Sequence, residues 1–191
     1  MQYKKEEIRD KIINSALIEF EKKGFSKASI LNIAKCANVP VGNLYRYFSS
    51  KSELFTQIVR TTVTELPIIV KQIYDSEIKK TSNLKEIGDQ IAKHIIIIHR
   101  DYGKQLLLLV DKSEGSEYQD FYQNLFKYVV YLIEEGAFKT NNSENKLFAE
   151  IIARGYLNGV FTIMREVEPK KMEEKMKQLS YYYFYDLHNR I

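Results

Sequence analysis

Three side chains between residues 41 and 51 could carry the chemistry of DNA binding. Arg46 has a guanidinium that can form paired hydrogen bonds with a guanine, whereas Val41 can offer only apolar contact, such as with a thymine methyl group. Lys51 lies in the first turn of a predicted helix, where the helix dipole disfavours a cation, so a bound anion such as a DNA phosphate would explain its presence. The alternative is an exposed lysine that costs a few tenths of a kcal/mol.

Catalytic and metal-binding chemistry is not indicated by the sequence. The three histidines, His94, His99 and His188, lack two-ligand spacing on one helical face with a companion carboxylate, and neither a glycine-rich phosphate loop nor a nucleophile elbow is present. Cys36 is the only cysteine, which excludes an intramolecular disulfide and fits a reducing cytoplasm. We therefore predict no enzyme activity, no cofactor, no catalytic residue and no metal ligand.

Positive charge is concentrated near the N-terminus. Residues 1–60 contain eleven Lys or Arg and six Asp or Glu, a net charge of +5, and the whole chain of 191 residues carries +4, so the remainder carries −1. A basic first third beside a nearly neutral remainder is typical of a nucleic-acid-binding module joined to a different kind of domain, because neutralising phosphates supplies much of DNA affinity. Chance clustering of solvated lysines is the alternative.

The elements that would position these side chains are helices. Only 3 prolines and 8 glycines interrupt the chain, and apolar residues recur at a spacing of three to four. This pattern predicts an all-α fold. A first helix over Lys4–Lys23 is expected to end at Gly24, which can adopt a left-handed conformation while Phe25 folds back over the last turn. Ser29 is then expected to cap a short second helix.

The second and third helices are expected to meet across one tight turn. Asn38 tolerates a left-handed backbone, and a third helix is predicted from Pro40 to about Tyr47. A capping box from Ser50 to Glu53 begins the fourth helix. Leu44 and Tyr47 or Phe48 would pack inward, which leaves on the surface of the third helix Val41, Gly42, Asn43, Tyr45 and Arg46. This is the spacing of a DNA-reading helix-turn-helix.

The stretch from Ser29 to Phe55 resembles the DNA-binding signature of the TetR family, the TetR/AcrR-type helix-turn-helix repressors. It contains Ile33-Ala34, then Gly42-Asn43-Leu44-Tyr45-Arg46-Tyr47-Phe48 and Lys51-Ser52-Glu53-Leu54-Phe55. The resemblance implies an N-terminal three-helix helix-turn-helix domain and a larger helical C-terminal domain for ligand binding and dimerisation. It also implies a cytoplasmic homodimer bound to double-stranded, near-palindromic operator DNA.

The resemblance assigns roles to individual residues. Tyr45, Tyr47 and Lys51 match positions that hold backbone phosphates, although packing between helices is the alternative for both tyrosines. Asn43 matches a small polar residue that touches phosphate or base, and Gly42 matches a place where backbone comes close to DNA. The predicted DNA-binding residues are Lys27, Ser29, Val41, Gly42, Asn43, Tyr45, Arg46, Tyr47 and Lys51. Because Val41 stands where the family often has a basic or polar residue, operator affinity is expected to rest on Lys27, Lys35, Arg46 and Lys51.

Two domains are predicted: a helix-turn-helix domain over residues 1–48 and a ligand-binding and dimerisation domain over residues 49–191, connected by the fourth helix from about residue 51. Pro67 predicts a kink or junction in that helix. Later helices are expected at about 84–99, 102–112, 118–135, 143–166 and 169–188. The apolar runs 95–98 and 106–110 are too short to span a bilayer, and Arg154 and Arg165 interrupt a membrane-like glycine spacing, so no membrane partner is expected.

The C-terminal part is predicted to hold a ligand pocket and a dimer interface. Its many aromatic residues suit a pocket for a small hydrophobic or aromatic compound, and equally an ordinary core. The expected pocket residues are Ile95, His99, Leu107, Phe121, Leu125 and Tyr156. The last two helices are expected to pair with their copies in a second subunit, although close contact within one subunit is the alternative. The expected interface residues are Ile152, Gly155, Gly159, Ile163, Leu179 and Tyr183.

These patterns together predict a sequence-specific DNA-binding transcriptional regulator. The resemblance favours a repressor that a small hydrophobic or aromatic effector releases from its operator. The alternative is a DNA-binding protein of the same fold that acts without an effector, in an architectural or activator role.

Overall fold

The computed structural model describes residues 2–80, 84–137 and 143–184, and every regular element among them is helical. The predicted all-α fold class is therefore confirmed. The helices are α1 (Gln2–Lys27), α2 (Ile30–Cys36), α3 (Val41–Tyr47), α4 (Lys51–Ile73, continued by a π-helical turn over Tyr74–Ile78), α5 (Leu84–Lys112), α6 (Phe121–Ala137), α7 (Ser143–Glu166) and α8 (Pro169–Phe184).

The chain divides into two compact units. The first contains the residues up to Thr64 together with Lys104–Phe121, and the second contains Glu65–Gly103 together with the described residues from Tyr122 onward. This division lies inside α4 rather than between residues 48 and 49, and it assigns part of α5 to the N-terminal unit. The reason is packing, because Leu108 and Leu109 are buried in the same hydrophobic core as the first four helices.

The core of the first unit is built around three phenylalanines. The ring centroids of Phe20 and Phe55 lie 5.0 Å apart in an edge-to-face arrangement, and those of Phe25 and Phe55 lie 5.1 Å apart. Such aromatic pairs add about 0.5–1.5 kcal/mol each to the free energy that burial of their area provides. Ile12 and Ala16 lie on the same stripe of α1 as Phe20 and are fully buried. These three residues form the inward face of the first helix.

Gly24 interrupts α1, as the sequence predicts. Its φ of 73° and ψ of 164° belong to a region of backbone space that essentially only glycine occupies. A Cβ at this position would lie 3.6 Å from the backbone oxygen of Lys112, an ordinary contact distance, so the backbone conformation is the reason for glycine. Phe25 folds back beneath the last turn of α1 and is 6% exposed.

Two predicted interruptions do not break their helices. The segment predicted as separate helices over residues 84–99 and 102–112 is one continuous helix, α5, and α4 continues through Pro67 to Ile73. At Gly103 the His99 ring packs against the helix, 2.9 Å from where a Cβ would be. Helix α6 begins at Phe121 rather than near Tyr118. Helix α8 is described to Phe184, and the remainder of its predicted span lies outside the described residues.

One helix in the described part of the chain is long and apolar enough to cross a membrane by length and composition. It is the segment Lys146–Glu166 of α7, with a mean hydropathy of 1.2. Within this segment, 44% of the most apolar window is buried inside the protein. A core helix of a folded protein meets the same criteria, so this observation is weak evidence for a membrane.

Candidate nucleic-acid interface

The corner between α1 and α2 is held by a carboxylate. Ser29 occupies the N-cap position of α2 with extended backbone angles, but its hydroxyl makes no capping hydrogen bond, so that part of the prediction is wrong. Instead the backbone N–H of Ser29 and the side-chain amide of Asn32 each donate to Oε1 of Glu19, both at 3.2 Å. An anionic group is favourable at a helix N-terminus, and Glu19 supplies it from α1.

The turn between α2 and α3 has the predicted geometry. Asn38 is left-handed, with a φ of 55°, and is the single non-glycine residue with positive φ among the described residues. The N–H of Val39 donates to the carbonyl of Ala34 at 3.0 Å, which closes the turn. Pro40 is the N-cap of α3 rather than its first helical residue, and its carbonyl accepts the N–H of Leu44 at 3.1 Å.

Helix α3 separates an inner and an outer face. Leu44 is fully buried and Phe48, just after the helix, is 1% exposed, while Tyr47 is half-buried against the same core. The packing alternative for Tyr47 therefore has structural support. On the outer face, Tyr45 is 50% exposed and Arg46 is exposed. The other predicted contact residues of this region lie at the surface as exposed (Lys27, Lys35, Gly42) or half-buried (Ser29, Val41, Asn43) positions.

Neither the backbone conformation nor the packing of this chain requires glycine at position 42. Its φ is not positive, and a Cβ built on it would have no heavy atom of a neighbouring element within 4 Å. Glycine inside a helix costs about 0.5–1 kcal/mol relative to alanine. Alanine at position 42 is therefore expected to stabilise the helix, and the space beside this backbone is open.

Helix α4 begins with the predicted capping box, extended by one residue. The hydroxyl of Ser50 accepts the N–H of Glu53 at 3.0 Å, while Oε2 of Glu53 accepts both the N–H and the O–H of Ser49 at 2.6 Å. These hydrogen bonds from Ser49 hold the pKa of the Glu53 carboxyl below its usual value. The start of α4 is thereby fixed next to the end of α3.

Lys51 contacts backbone carbonyls of its own chain. Its Nζ donates to the carbonyl oxygens of Phe25 at 2.7 Å, Ser26 at 3.1 Å and Ala28 at 3.3 Å. The same Nζ lies 4.6 Å from the centre of the Phe25 ring. The sequence predicts a phosphate contact for this lysine, or an exposed side chain as the alternative. The side chain is half-buried and hydrogen-bonded to the end of α1, so it is not simply an exposed lysine, and the phosphate contact stays a prediction.

Sequence analysis did not identify Glu19 and Arg9 as residues that support the interface. Nη2 of Arg9 donates a hydrogen bond to Oε1 of Gln57 at 2.9 Å. The carbon of the Arg9 guanidinium lies 5.5 Å from the centre of the Phe48 ring. This side chain therefore connects α1 to α4 and to the residue that ends α3. A pair separated by 48 positions leaves no local periodicity, so no signal in the sequence could have indicated it.

The six predicted pocket residues do not share one environment. Leu107 and Phe121 belong to the first unit, while Ile95, His99, Leu125 and Tyr156 belong to the second. Tyr156 is 5% exposed, its hydroxyl is 2.9 Å from that of Ser180, and its ring packs on Phe184 with centroids 4.8 Å apart. Burial raises the pKa of the Tyr156 hydroxyl well above its usual value. Tyr156 is therefore a core residue between α7 and α8.

A shallow groove in the second unit is lined by a different set of side chains. They come from one position of α5 and four positions of α8, namely Asp89, Lys177, Gln178, Tyr181 and Tyr182. None of the six predicted pocket residues lines this groove.

The predicted interface glycines face α8 of the same chain. A Cβ at Gly155 would lie 2.3 Å from the hydroxyl oxygen of Tyr183, and one at Gly159 would lie 2.6 Å from Cδ1 of Leu179. Ile152 is 6% exposed, and Ile163 is half-buried. The structure thus favours the alternative, in which this small-residue face of α7 makes a close contact within one subunit.

Comparison with known proteins relates this geometry to a described family. The family "Bacterial regulatory proteins, tetR family" matches residues 12–58, which contain α2, α3 and parts of α1 and α4. The chain is 25% identical over 162 residues, 81% of this chain and 86% of the relative, to the biofilm operon icaADBC HTH-type negative transcriptional regulator IcaR of Staphylococcus aureus (strain Newman).

Two solved structures share the fold over nearly their whole length. A TetR-family transcriptional regulator from Bordetella parapertussis 12822 has a TM-score of 0.66 at 21% identity, covering 96% of this chain and 97% of that chain. NalD, the secondary repressor of the MexAB-OprM multidrug efflux pump in Pseudomonas aeruginosa, has a TM-score of 0.58 at 19% identity, covering 95% of this chain and 98% of that chain.

Proposed function

The chain belongs to the TetR family of bacterial transcriptional regulators, and from this premise we propose that it is a sequence-specific repressor. It binds a near-palindromic operator as a homodimer in the cytoplasm and is released by a small hydrophobic or aromatic effector. The family consists of transcription regulators that are not enzymes, which agrees with the sequence-based expectation. The names of two similar proteins, a negative regulator and a secondary repressor, support repression as the outcome of binding.

The outer face of α3 is the observation that carries the DNA-binding role. It combines an exposed guanidinium at Arg46, a half-exposed phenol at Tyr45 and open space beside the backbone of Gly42. Arg46 can read a guanine in the major groove, and Tyr45 can donate its hydroxyl to a phosphate. The absence of an intramolecular neighbour at Gly42 lets a DNA backbone approach the main chain closely.

The basic residues outside α3 would supply the salt-dependent part of the affinity. Lys27 is exposed as the last residue of α1, and Lys35 is exposed in the last turn of α2. Each phosphate that such a lysine neutralises releases condensed counterions from the duplex. Ser29 and Asn43 are half-buried and would contribute shorter-range polar contacts at the edge of the interface.

Dimerisation through α7 and α8 is supported by their exposed apolar side chains. Leu147 and Ile151 lie one turn apart on α7 and are 60% and 57% exposed, while Tyr181 and Tyr182 on α8 are 47% and 69% exposed. Since Gly155 and Gly159 are covered by α8 of the same chain, we propose that a second subunit packs on these exposed residues instead. Aromatic and large apolar residues of this kind are enriched in protein interfaces.

An effector site is proposed for the second unit, where Ile95, His99 and Leu125 are half-buried. Apolar and aromatic side chains with one titratable group suit a small hydrophobic or aromatic compound. The same side chains also suit an ordinary core, so the effector requires its own test.

Selection of bound sites from random duplex DNA tests the proposal. The purified protein would be used at one fixed, near-physiological salt concentration, since affinities depend strongly on salt. We expect a near-palindrome with half-sites about one helical turn apart. Recovery of no motif would overturn sequence-specific binding, and a single unpaired half-site would overturn the dimeric geometry.

The selected operator then serves as the probe for regulation. A library of hydrophobic and aromatic compounds would be screened for release of the labelled operator, and a reporter gene placed behind the operator would report repression or activation. A compound that lowers operator affinity and restores reporter expression is the expected result. If no compound changes affinity while binding stays sequence-specific, the effector-independent role is favoured.

A further inference from the structure

We propose that Lys51 positions the DNA-reading helices by binding the corner between α1 and α2. This inference rests on the proposed function in so far as α3 is taken to read DNA. It goes beyond that function because it assigns a conformational role to a lysine whose position in the chain suggests a direct DNA contact.

The geometry accounts for every hydrogen-bond donor of the ammonium group. A lysine ammonium has three N–H donors and no acceptor. Three carbonyl oxygens, those of Phe25, Ser26 and Ala28, lie 2.7–3.3 Å from Nζ. A phosphate oxygen could be bound only by giving up at least one of these bonds. The Phe25 ring, 4.6 Å from Nζ, adds a further favourable contact with the cation.

The electrostatics explain why a cation is present at an unfavourable end of a helix. Lys51 is the first residue of α4, where the helix dipole disfavours positive charge. Its side chain carries that charge to the carbonyl-rich end of α1, where a cation is favoured. Glu19 of α1 brings a negative charge to the opposite kind of helix end, since its carboxylate accepts the N–H of Ser29 at the start of α2.

The two charged side chains therefore bind one short segment, the lysine through backbone carbonyl groups and the glutamate through a backbone N–H. We name residues Phe25–Ser29 the α1–α2 corner. Lys51 binds its carbonyl groups, and Glu19 binds the N–H of its last residue. Helix α2 begins directly after the corner, and its tight turn leads into α3. The orientation of α3 relative to α1 and α4 thus depends on how the corner is held.

The experiment compares two lysine variants of the full-length protein. Lys51→Met keeps the apolar stem and removes the charge and the donors. Lys35→Met removes an exposed charge from α2 and serves as the matched control. For each protein we would measure the melting temperature without DNA, and the affinities for the selected operator and for random duplex at several salt concentrations, well below the melting temperature.

We expect Lys51→Met to lower the melting temperature by about 4 °C or more, because three hydrogen bonds to a charged donor are lost. Operator affinity should fall about tenfold, as if one base contact were lost, while affinity for random duplex stays within about twofold and the salt slope is unchanged. Lys35→Met should leave the melting temperature unchanged and flatten the slope by about 0.9 for each lost phosphate contact.

The opposite pattern would overturn the inference. If Lys51→Met melts like the wild type, weakens operator and random duplex equally and flattens the slope, then Lys51 is a phosphate contact. Lys51→Gln, which keeps amide donors without the charge, guards against a variant that fails to fold, and we expect it to regain part of the lost stability. The melting temperatures require no DNA, so they still test the contact with the corner if the proposed function fails.

Discussion

The glycines of α3 and α7 show how differently the two units use a missing side chain. Gly42 in the first unit has open space where a Cβ would be, whereas the corresponding spaces at Gly155 and Gly159 in the second unit are filled by Tyr183 and Leu179 of the same chain. A glycine packed against its own chain is explained by the fold alone. A helical glycine with no neighbour is explained only by an outside partner or by chance, and at Gly42 the outer face of a reading helix favours the partner.

The same difference applies to the side chains around these glycines. Around Gly42, the residues predicted to bind DNA lie at the surface, where a partner can reach them. Around Gly155 and Gly159, the predicted interface residues Ile152 and Leu179 are buried or half-buried by packing between α7 and α8. Periodicity identifies an apolar or small-residue face, but it does not say whether the same subunit or a second one covers it.

Replacing Gly159 with leucine tests the internal contact and should have the largest effect on stability. A leucine side chain has no room beside Leu179, and overpacking of this kind costs about 1–3 kcal/mol. We expect a lower free energy of unfolding, measured by denaturant titration at a fixed protein concentration. The neighbouring Asn158 is exposed on the same helix, so Asn158→Leu is the matched control and should change stability by less than about 0.5 kcal/mol.

Sedimentation of the same two variants decides between the two interpretations of α7. If Gly159 contacts only its own chain, Gly159→Leu dimerises as the wild type does wherever it is folded. A Gly159→Leu protein that is fully stable yet monomeric would show that this face meets the second subunit, as the sequence first suggests.

Tyr156→Phe is expected to have a smaller effect on stability. The variant removes one hydroxyl and leaves the fully buried hydroxyl of Ser180 without its partner, which costs about 1–2 kcal/mol. Thermal unfolding would measure this loss, and Tyr131→Phe, at a tyrosine that is 52% exposed, is the control. An unchanged melting temperature together with an altered effector response would instead place Tyr156 in the effector pocket.

The features that could be predicted from the sequence depend on a few neighbouring residues. The positive φ of Gly24 and Asn38, the inward packing of Leu44 and the capping box at Glu53 all follow from local backbone and side-chain preferences. Such preferences act within one turn of helix. They are therefore visible to anyone who has only the chain, and they were sufficient to define the helix-turn-helix.

The features that could not be predicted depend on residues far apart in the chain. Local dipole arguments place Lys51 in an unfavourable first turn, because they do not include the carbonyls of the α1–α2 corner, 23 to 26 positions away. The same reasoning makes Ser29 a cap, because it does not include the carboxylate of Glu19, 10 positions earlier. In both cases a side chain from another helix binds the polar backbone groups at a helix end. The sequence predicts a local cap for Ser29 and a DNA phosphate for Lys51 instead.

Gly42→Ala has the smallest expected effect on stability and the most informative sign. Since a Cβ at position 42 meets no neighbouring element within 4 Å, alanine should stabilise the free protein by about 0.5–1 kcal/mol through helix propensity alone. If DNA approaches this backbone closely, the same methyl group should weaken operator binding. Stability and affinity would then change in opposite directions, which neither a general folding defect nor a general improvement in folding can produce.

Asn14→Ala supplies the control for Gly42→Ala, because it also raises helix propensity at an exposed position, on α1, outside the reading helix. It should raise the melting temperature and leave operator affinity unchanged. If Gly42→Ala also binds the operator as the wild type does, the open space at α3 is not occupied by DNA. The contrast between an outward-facing glycine in the first unit and inward-facing glycines in the second would then carry no functional meaning, and the DNA-binding role would rest on Arg46 and the exposed lysines alone.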